Sequence, residues 1–284
     1  VPEWELYRIL GLALNPEAWV DREKDFKEFY DNAMMRAYEF DYDELQKKVV
    51  IQRDVSYRKY ETGKLRPDGA KGFNTSTGRI QLYSPMFQMV GEDPLPYYFE
   101  APTTPISTPE LAKEYPFTMM TGAREIGYFH SEGRQIEKLR DLCPDPLVEL
   151  NPINAKEKGI KNGDWVRIEN PWGVCFLKAK VTPIIKEGYI QAQHGWWFPE
   201  EDAEAPHLYG VWKSNINTLI PHSRMGKLGF GAPFRTTLVK ISKASEEELA
   251  DADRIGLELE DGKPIKHSDN FFRIDDPSLD PTAR

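Results

Sequence analysis

The residues best suited to chemistry follow short predicted strands between Phe117 and Glu200. The segment PFTMMTG ends at Thr121 and Gly122, and Arg124 follows directly. In a small-residue turn the backbone N–H groups and the threonine hydroxyl can approach a ligand closely, and a guanidinium offers a fork of donors to phosphate. The turn therefore suits recognition of an anion, although TGxR alone is more typical of an ordinary strand-turn-helix.

A second group of donors comes a few residues later. His130, Ser131, Arg134 and Gln135 add neutral and cationic donors within six positions. They extend the predicted anion-binding surface. The alternative is the same ordinary strand-turn-helix, with Arg134 in solvent and His130 packed.

The segment QHGWW forms the third group, which contains His194, Gly195 and Trp196. A glycine after a strand-ending histidine allows close backbone approach, and indoles supply flat contact area at low entropic cost. The group could hold a heteroaromatic ring. A hydrophobic plug with His194 bonded to a carbonyl is an equally good interpretation.

Two further polar positions lie toward the C-terminus. Asn215 and Asn217 place two amides on one face of an extended segment, able to donate and accept toward a purine or pterin edge. Turn formation is the alternative role of these asparagines. Arg235 ends a glycine-containing loop before the last predicted strand and offers another guanidinium.

These groups supply binding but no reaction. The sequence contains no GxSxG, HExxH or P-loop motif, and a hydrolase using His130 with Glu132 lacks an activated nucleophile. Cys143 and Cys175 are not in a CxxC pair and are predicted to be packed thiols. We therefore predict no catalytic residue and no metal site in this chain.

The elements that position these groups change character along the chain. Apolar spacing predicts helices around Trp4 to Leu14 and Asp21 to Tyr38, and alternation predicts a strand from Arg79 to Tyr83. A proline-rich linker then separates this region from short strands at 116–122, 165–169, 174–181, 189–194 and 236–241. Asn151-Pro152 begins a short helix that ends before Gly159. The strand pattern favours a closed β-barrel.

The amino-acid composition limits the classes of ligand and partner that the chain can have. The 284 residues carry a net charge of −9, but residues 245–284 hold twelve acidic and five basic side chains, so the rest is nearly neutral and can bind phosphate. No run approaches the ~20 apolar residues of a membrane-spanning helix, and VPEWELYRIL lacks the features of a signal peptide. We expect no membrane insertion and no nucleic-acid partner.

In this order, the segments resemble the C-terminal third of the molybdopterin oxidoreductases, the dimethyl sulfoxide reductase superfamily. The resemblance covers about Trp4 to Lys243 and is strongest from Phe117 onward. Five blocks carry it: GFNTSTGRIQLYS, TGAREIGYFHSEGRQIEKLR, ELNPINAKEKGIKNGDWVRIENPWG, QAQHGWWFPE and SNINTL.

The resemblance implies a mixed α+β chain in which a helical N-terminal region precedes a double-psi β-barrel of the aspartate-decarboxylase-like type. The expected parts are an upstream portion at 1–92, the linker at 93–114, the dinucleotide-binding barrel at 115–244 and an acidic tail at 245–284. The family binds molybdenum or tungsten through two molybdopterin guanine dinucleotides. The cofactor-binding residues implied here are Thr121, Gly122, Arg124, His130, Ser131, Gln135, His194, Gly195, Trp196, Asn215 and Arg235.

The resemblance also implies what lies elsewhere. In the family, the cysteines for an iron–sulfur cluster and the metal-ligating residue belong to the upstream two-thirds. We therefore expect this chain to be a fragment or one part of a split enzyme, not catalytic alone, with the N-terminal remainder and an electron-transfer subunit as partners. The location expected is a prokaryotic cytoplasm or periplasm. The alternative is a stand-alone β-barrel that acts as a binding or assembly module.

Overall fold

The structure is a computed structural model that describes residues 2–19, 23–34, 40–52, 55–98, 100–122, 125–220, 234–257, 259–260 and 263–264. It divides into two compact units, Val1–Pro96 and Tyr97–Arg284. No helix among the described residues is long and apolar enough to cross a membrane.

The first unit consists of short helices and irregular segments. Its helices are α1 (Glu3–Leu14), α2 (Pro16–Trp19), α3 (Phe26–Phe29) with a π-helical turn (Tyr30–Met34), α4 (Tyr42–Lys48), α5 (Lys59–Thr62) and α6 (Pro85–Met89). The helix predicted near Trp4 is confirmed as α1. Asp25 caps α3 by accepting a hydrogen bond from Glu28 N, so this helix begins later than the predicted Asp21.

The strand predicted from Arg79 to Tyr83 is wrong. The segment forms bends, because local bonds replace a strand ladder: Thr75 Oγ1 donates to Arg79 O, and Gln81 Nε2 donates to Ser76 Oγ. The alternating apolar side chains of Ile80 and Leu82 are exposed. Alternation alone therefore did not specify a buried sheet face here.

The second unit contains a closed β-barrel with helices around it. Its strands are β1 (Phe117–Met120), β2 (Leu147–Leu150), β3 (Trp165–Asn170), β4 (Gly173–Val181), β5 (Tyr189–Ala192) and β6 (Thr237–Lys243), with a small pair β7 (Leu259–Glu260) and β8 (Lys263–Pro264). Its helices are α7 (Pro109–Glu114), α8 (Glu137–Arg140), α9 (Pro152–Glu157), α10 (Val211–Ser214), α11 (Glu246–Ala250) and α12 (Ala252–Leu257), with 3₁₀ turns at Leu208–Gly210 and Ile216–Leu219.

The barrel closes in the order β1-β5-β2-β4-β3-β6. The β1–β5 and β2–β4 pairs are parallel, and the other neighbours are antiparallel. The expected closed barrel in a mixed α+β chain is confirmed. Strand β2 was not predicted, and it completes the ring between β5 and β4.

Alternating side chains fill the barrel interior. In β2 and β3 every second residue is buried, the pattern of strands with one face toward a core. Met119, Val148, Ile168, Leu177 and Ile190 are among the fully buried members of this core. The apolar alternation thus fixes the strand register. Because the interior is filled with apolar side chains, the polar groups available for binding lie at the strand ends.

Two segments outside the barrel strands also contain packed residues. Thr103 and Thr104, in the predicted linker, are buried. Beyond the barrel, Ser245 and Glu248 form a capping box at the start of α11, and Ala252 of α12 packs with Phe176. The first part of the predicted acidic tail is therefore helical and covers the barrel wall.

Candidate functional site

Three chain segments leave the same end of the barrel. Strands β1 and β5 are parallel, with Met120 opposite Gln191, so their carboxyl ends lie side by side. Strand β6 is antiparallel to β1, with Met119 opposite Thr237, so its amino end lies there too. Thr121 N donates to Phe234 O at 2.9 Å and joins two of the segments directly.

A fourth segment, at His130 and Ser131, lies against these strand ends. Trp197 Nε1 donates to Ser131 O at 2.6 Å, and the His130 and His194 rings are 5.6 Å apart, edge to face. His130 has φ of +52°, a left-handed backbone that is uncommon outside glycine. We call residues 121–122, 130–131, 194–195 and 234–235 the barrel-end loops.

Two glycines let the barrel-end loops pack closely. Gly122 has φ of +63°, and a Cβ there would overlap the Gln191 side chain. Gly195 has φ of +65°, and a Cβ there would lie 2.7 Å from Ser131 Oγ. Glycine therefore serves both the backbone conformation and the close approach of neighbouring loops.

Arg134 lies beneath the barrel-end loops rather than in solvent. Its guanidinium carbon is 4.5 Å from the Tyr128 ring centroid and 4.7 Å from that of Trp196. Nη1 donates to His130 O at 2.8 Å, and Nη2 makes a longer contact of 3.4 Å with His194 O. Burial lowers the pKa of Arg134 from its ordinary value.

Trp196 is also inside the protein, with none of its side chain exposed. It packs edge to face with Tyr128 and Phe198, in a cluster that includes Cys143. The structure thus places this predicted cofactor contact under the loops, where it packs against Arg134.

The other predicted site residues differ in their surroundings. Gln135 and Arg235 are exposed, and Arg235 directly follows the Phe234 carbonyl that bonds Thr121. Asn215 caps a 3₁₀ turn by accepting from Asn217 N at 3.1 Å, beside β4 rather than β1. Arg124 lies outside the described residues, as do residues 221–233 of the loop before Arg235.

The cysteines are packed thiols, as predicted. Cys143 and Cys175 are both free and buried, and burial raises the pKa of each thiol. Within the described part of the chain, no group of three or more His, Cys, Asp or Glu side chains is placed to hold a metal ion.

Comparison with known proteins identifies the family of the barrel. Residues 117–238 match the family described as the molydopterin dinucleotide binding domain. Dimethyl sulfoxide reductase of Escherichia coli is 30% identical over 187 residues, which cover 61% of this chain and 21% of that protein. These matches identify the barrel as a molydopterin dinucleotide binding domain and the chain as similar to the C-terminal portion of a molybdopterin oxidoreductase.

Two further proteins are similar to this chain over most of its length. Dopamine dehydroxylase of Eggerthella lenta is 35% identical over 245 residues, covering 79% of this chain and 23% of that protein. The structure of acetylene hydratase from Pelobacter acetylenicus superposes with a TM-score of 0.68 at 31% identity, over 86% of this chain and 33% of that one. The chain spans about a quarter of the length of the curated relatives that it matches.

Proposed function

We propose that this chain forms the dinucleotide-binding part of a molybdenum or tungsten oxidoreductase, with the barrel as its double-psi, aspartate-decarboxylase-like domain. In this proposal the barrel-end loops hold a molybdopterin guanine dinucleotide by its phosphates and ring edges. The observation that carries the proposal is the convergence of four loops, from three separate parts of the sequence, at one end of the barrel.

The donor set of the barrel-end loops fits such a ligand. The glycines at 122 and 195 let neighbouring segments pack closely, and Ser131, Gln135 and Arg235 present donors at the surface. Phosphate oxygens are acceptors only and favour backbone N–H groups and guanidinium forks. Thr121 and His130 would complete the phosphate contacts, with Arg124 as a further guanidinium.

The ring edges would be held by His194 and Asn215. Asn215 Oδ1 accepts from Asn217 N, so its Nδ2 group remains able to donate to a guanine or pterin acceptor. Trp196 would act from below, by supporting the loop that carries His194.

When bound, the metal of such a cofactor supplies two-electron redox chemistry or oxygen-atom transfer. The residues of this chain bind and orient the dinucleotide and carry no catalytic role in the proposal. The metal ligand and the cysteines of an iron–sulfur cluster would come from polypeptide outside these 284 residues, with an electron-transfer subunit as a further partner. The coverage of about a quarter of the relatives supports this division.

The proposal is tested by titrating the 284-residue protein with guanosine diphosphate, which carries both the guanine and a pyrophosphate. We expect saturable binding, weakened roughly tenfold in Arg124→Ala and in Arg235→Gln, because each change removes a charge-assisted phosphate contact. The control is Arg254→Gln, which changes an exposed arginine paired with Asp251 and should bind as wild type.

A second measurement uses the complete enzyme. Purified together with the remaining polypeptide, the protein should release guanine nucleotide and molybdenum or tungsten on acid treatment. The proposal would be contradicted if the complex contained neither metal nor nucleotide and the 284-residue protein did not bind guanosine diphosphate.

A further inference from the structure

Arg134 is a buried guanidinium without a carboxylate partner. Its side chain is 2% exposed, its Nε has no hydrogen-bond partner, and no ion pair involves it among the described residues. Buried charges in proteins are normally paired, because removing an ion from water is costly. An unpaired cation directly beneath the barrel-end loops therefore requires a physical explanation.

Arg140 provides a comparison within the same cluster. Its guanidinium carbon is 5.0 Å from the Trp196 ring centroid, close to the 4.7 Å of Arg134. Arg140, however, pairs with Glu200 at 2.8 Å. Stacking on Trp196 is thus common to both arginines, whereas the lack of a carboxylate is particular to Arg134 in this pair.

The hydrogen bonds of Arg134 go to two backbone carbonyls, those of His130 and His194. In a trans peptide the C=O group and the following N–H group point in opposite directions. Both peptide bonds are trans, so the N–H groups of Ser131 and Gly195 are directed away from Arg134.

These two N–H groups lie close to each other. A Cβ built on Gly195 would be 3.5 Å from Ser131 N, so the two peptide groups are neighbours. Neither N–H donates to a described residue, although Gly195 is buried. Buried backbone N–H groups are nearly always bonded, so the Gly195 N–H is suited to an acceptor from outside the described protein atoms, and the N–H of the exposed Ser131 lies beside it.

We propose that Arg134 is a positioning residue that turns the His130–Ser131 and His194–Gly195 peptide groups so that both N–H groups face one anionic group. Its own unpaired charge lies behind them and favours the same anion. The ligand chemistry is a phosphate or pyrophosphate, since paired backbone N–H groups in a loop form anion-binding concavities. This inference rests on the proposed function and assigns its phosphate subsite.

The test compares Arg134→Met, Arg134→Lys and the control Arg140→Met in the 284-residue protein. Affinity for guanosine diphosphate is measured by titration, and the Ser131 and Gly195 amide resonances are followed by NMR with and without the nucleotide. We expect Arg134→Met to bind roughly 10- to 100-fold more weakly, because two oriented donors and a charge are lost. Its two amide resonances should also move before any ligand is added.

Arg134→Lys should bind with intermediate affinity, since an ammonium keeps the charge but lacks the planar fork that reaches both carbonyls. Arg140→Met should bind within about twofold of wild type and keep both amide resonances in place, because Arg140 bonds Glu200 and Pro144 O instead of the loops.

The outcomes separate this inference from the proposed function. Wild-type nucleotide affinity in Arg134→Met would overturn the positioning role and leave the proposed function standing. A wild-type protein that does not bind the nucleotide counts against the proposed function, and unmoved amide resonances in ligand-free Arg134→Met overturn the positioning role independently. If Arg134→Met does not fold, Arg134→Lys replaces it in the test. Wild-type affinity and wild-type Ser131 and Gly195 amide resonances in Arg134→Lys would then overturn the positioning role.

Discussion

At the scale of single residues, the candidate site depends on glycines in left-handed backbone. Gly195 and Gly188 both flank β5 in this conformation, with φ of +65° and +80°. Their surroundings differ, because a Cβ on Gly195 would meet Ser131 Oγ at 2.7 Å, whereas a Cβ on Gly188 would meet nothing within 4 Å. Alanine substitutions at the two positions therefore separate the effect of backbone strain from the effect of close loop packing.

Gly195→Ala should destabilise the protein more than Gly188→Ala. Left-handed backbone costs an alanine about 1–2 kcal/mol at either position, and displacing Ser131 adds about 1 kcal/mol at Gly195. Guanidinium chloride unfolding measures both free energies. Gly195→Ala alone should also weaken binding of guanosine diphosphate, and equal effects of the two variants on affinity would contradict the packing argument.

Sequence motifs predicted most of the barrel-end loops, because each motif marks a strand end or a glycine turn that is visible locally. The positions of Thr121, Gly122 and Gly195 follow from such signals. Arg134 could be recognised only as a donor, since its bonds join His130 and His194, which are far apart in the chain. The spacing of residues in the sequence does not reveal that a guanidinium is buried between two aromatic rings.

At the scale of secondary-structure elements, the two longest clearly alternating strands were predicted most closely. Strands β3 and β4 carry six and nine residues with clear alternation and were predicted almost to their bounds. Strand β2 has only four residues, LVEL, and its place is fixed by parallel pairing with the distant β4. Such pairing is set by tertiary context rather than by local propensity.

Helix α12 is attached to the protein through a titratable pair. His207 Nδ1 lies 2.9 Å from Asp253 Oδ2, and the Asp253 side chain is largely buried. The hydrogen bond with Asp253 raises the pKa of His207, burial lowers it, and the charges of Asp253, Asp202 and Glu201 also raise it. A raised folded-state pKa means that the pair stabilises the docked helix fully below the ordinary value of about 6.5.

We expect the docking of α12 to weaken as pH rises through the folded-state pKa of His207. Tryptic cleavage after Arg254 reports local unfolding of α12, and mass spectrometry identifies the fragment. At pH 6 the wild type should be cleaved several-fold more slowly than His207→Asn. The two rates should approach each other as pH rises toward 8.5, since the imidazole loses its proton above its folded-state pKa.

His207→Asn serves as the control for the pH dependence of trypsin itself, because both proteins are digested at each pH. A ratio of cleavage rates that stays constant from pH 6 to 8.5 would show that the His207–Asp253 pair does not hold the helix.

At the scale of the whole molecule, apolar burial is distributed unevenly. The barrel interior holds a continuous core in the second unit. In the described residues of the first unit no apolar side chain is buried, and Leu6, Tyr7, Ile9, Leu10 and Leu14 of α1 are exposed. Because apolar burial is the main favourable contribution to folding, the two units should differ in stability.

We predict that residues 97–284 unfold cooperatively when produced alone, whereas residues 1–96 do not. The barrel unit should absorb on the order of 100 kcal/mol in a calorimetric scan, as expected for a domain of its size. Residues 1–96 should show no transition, since too little apolar surface is buried to offset chain entropy. The full chain should match the enthalpy and midpoint of 97–284, and a separate transition from 1–96 would show that this unit is stabilised by something other than an apolar core.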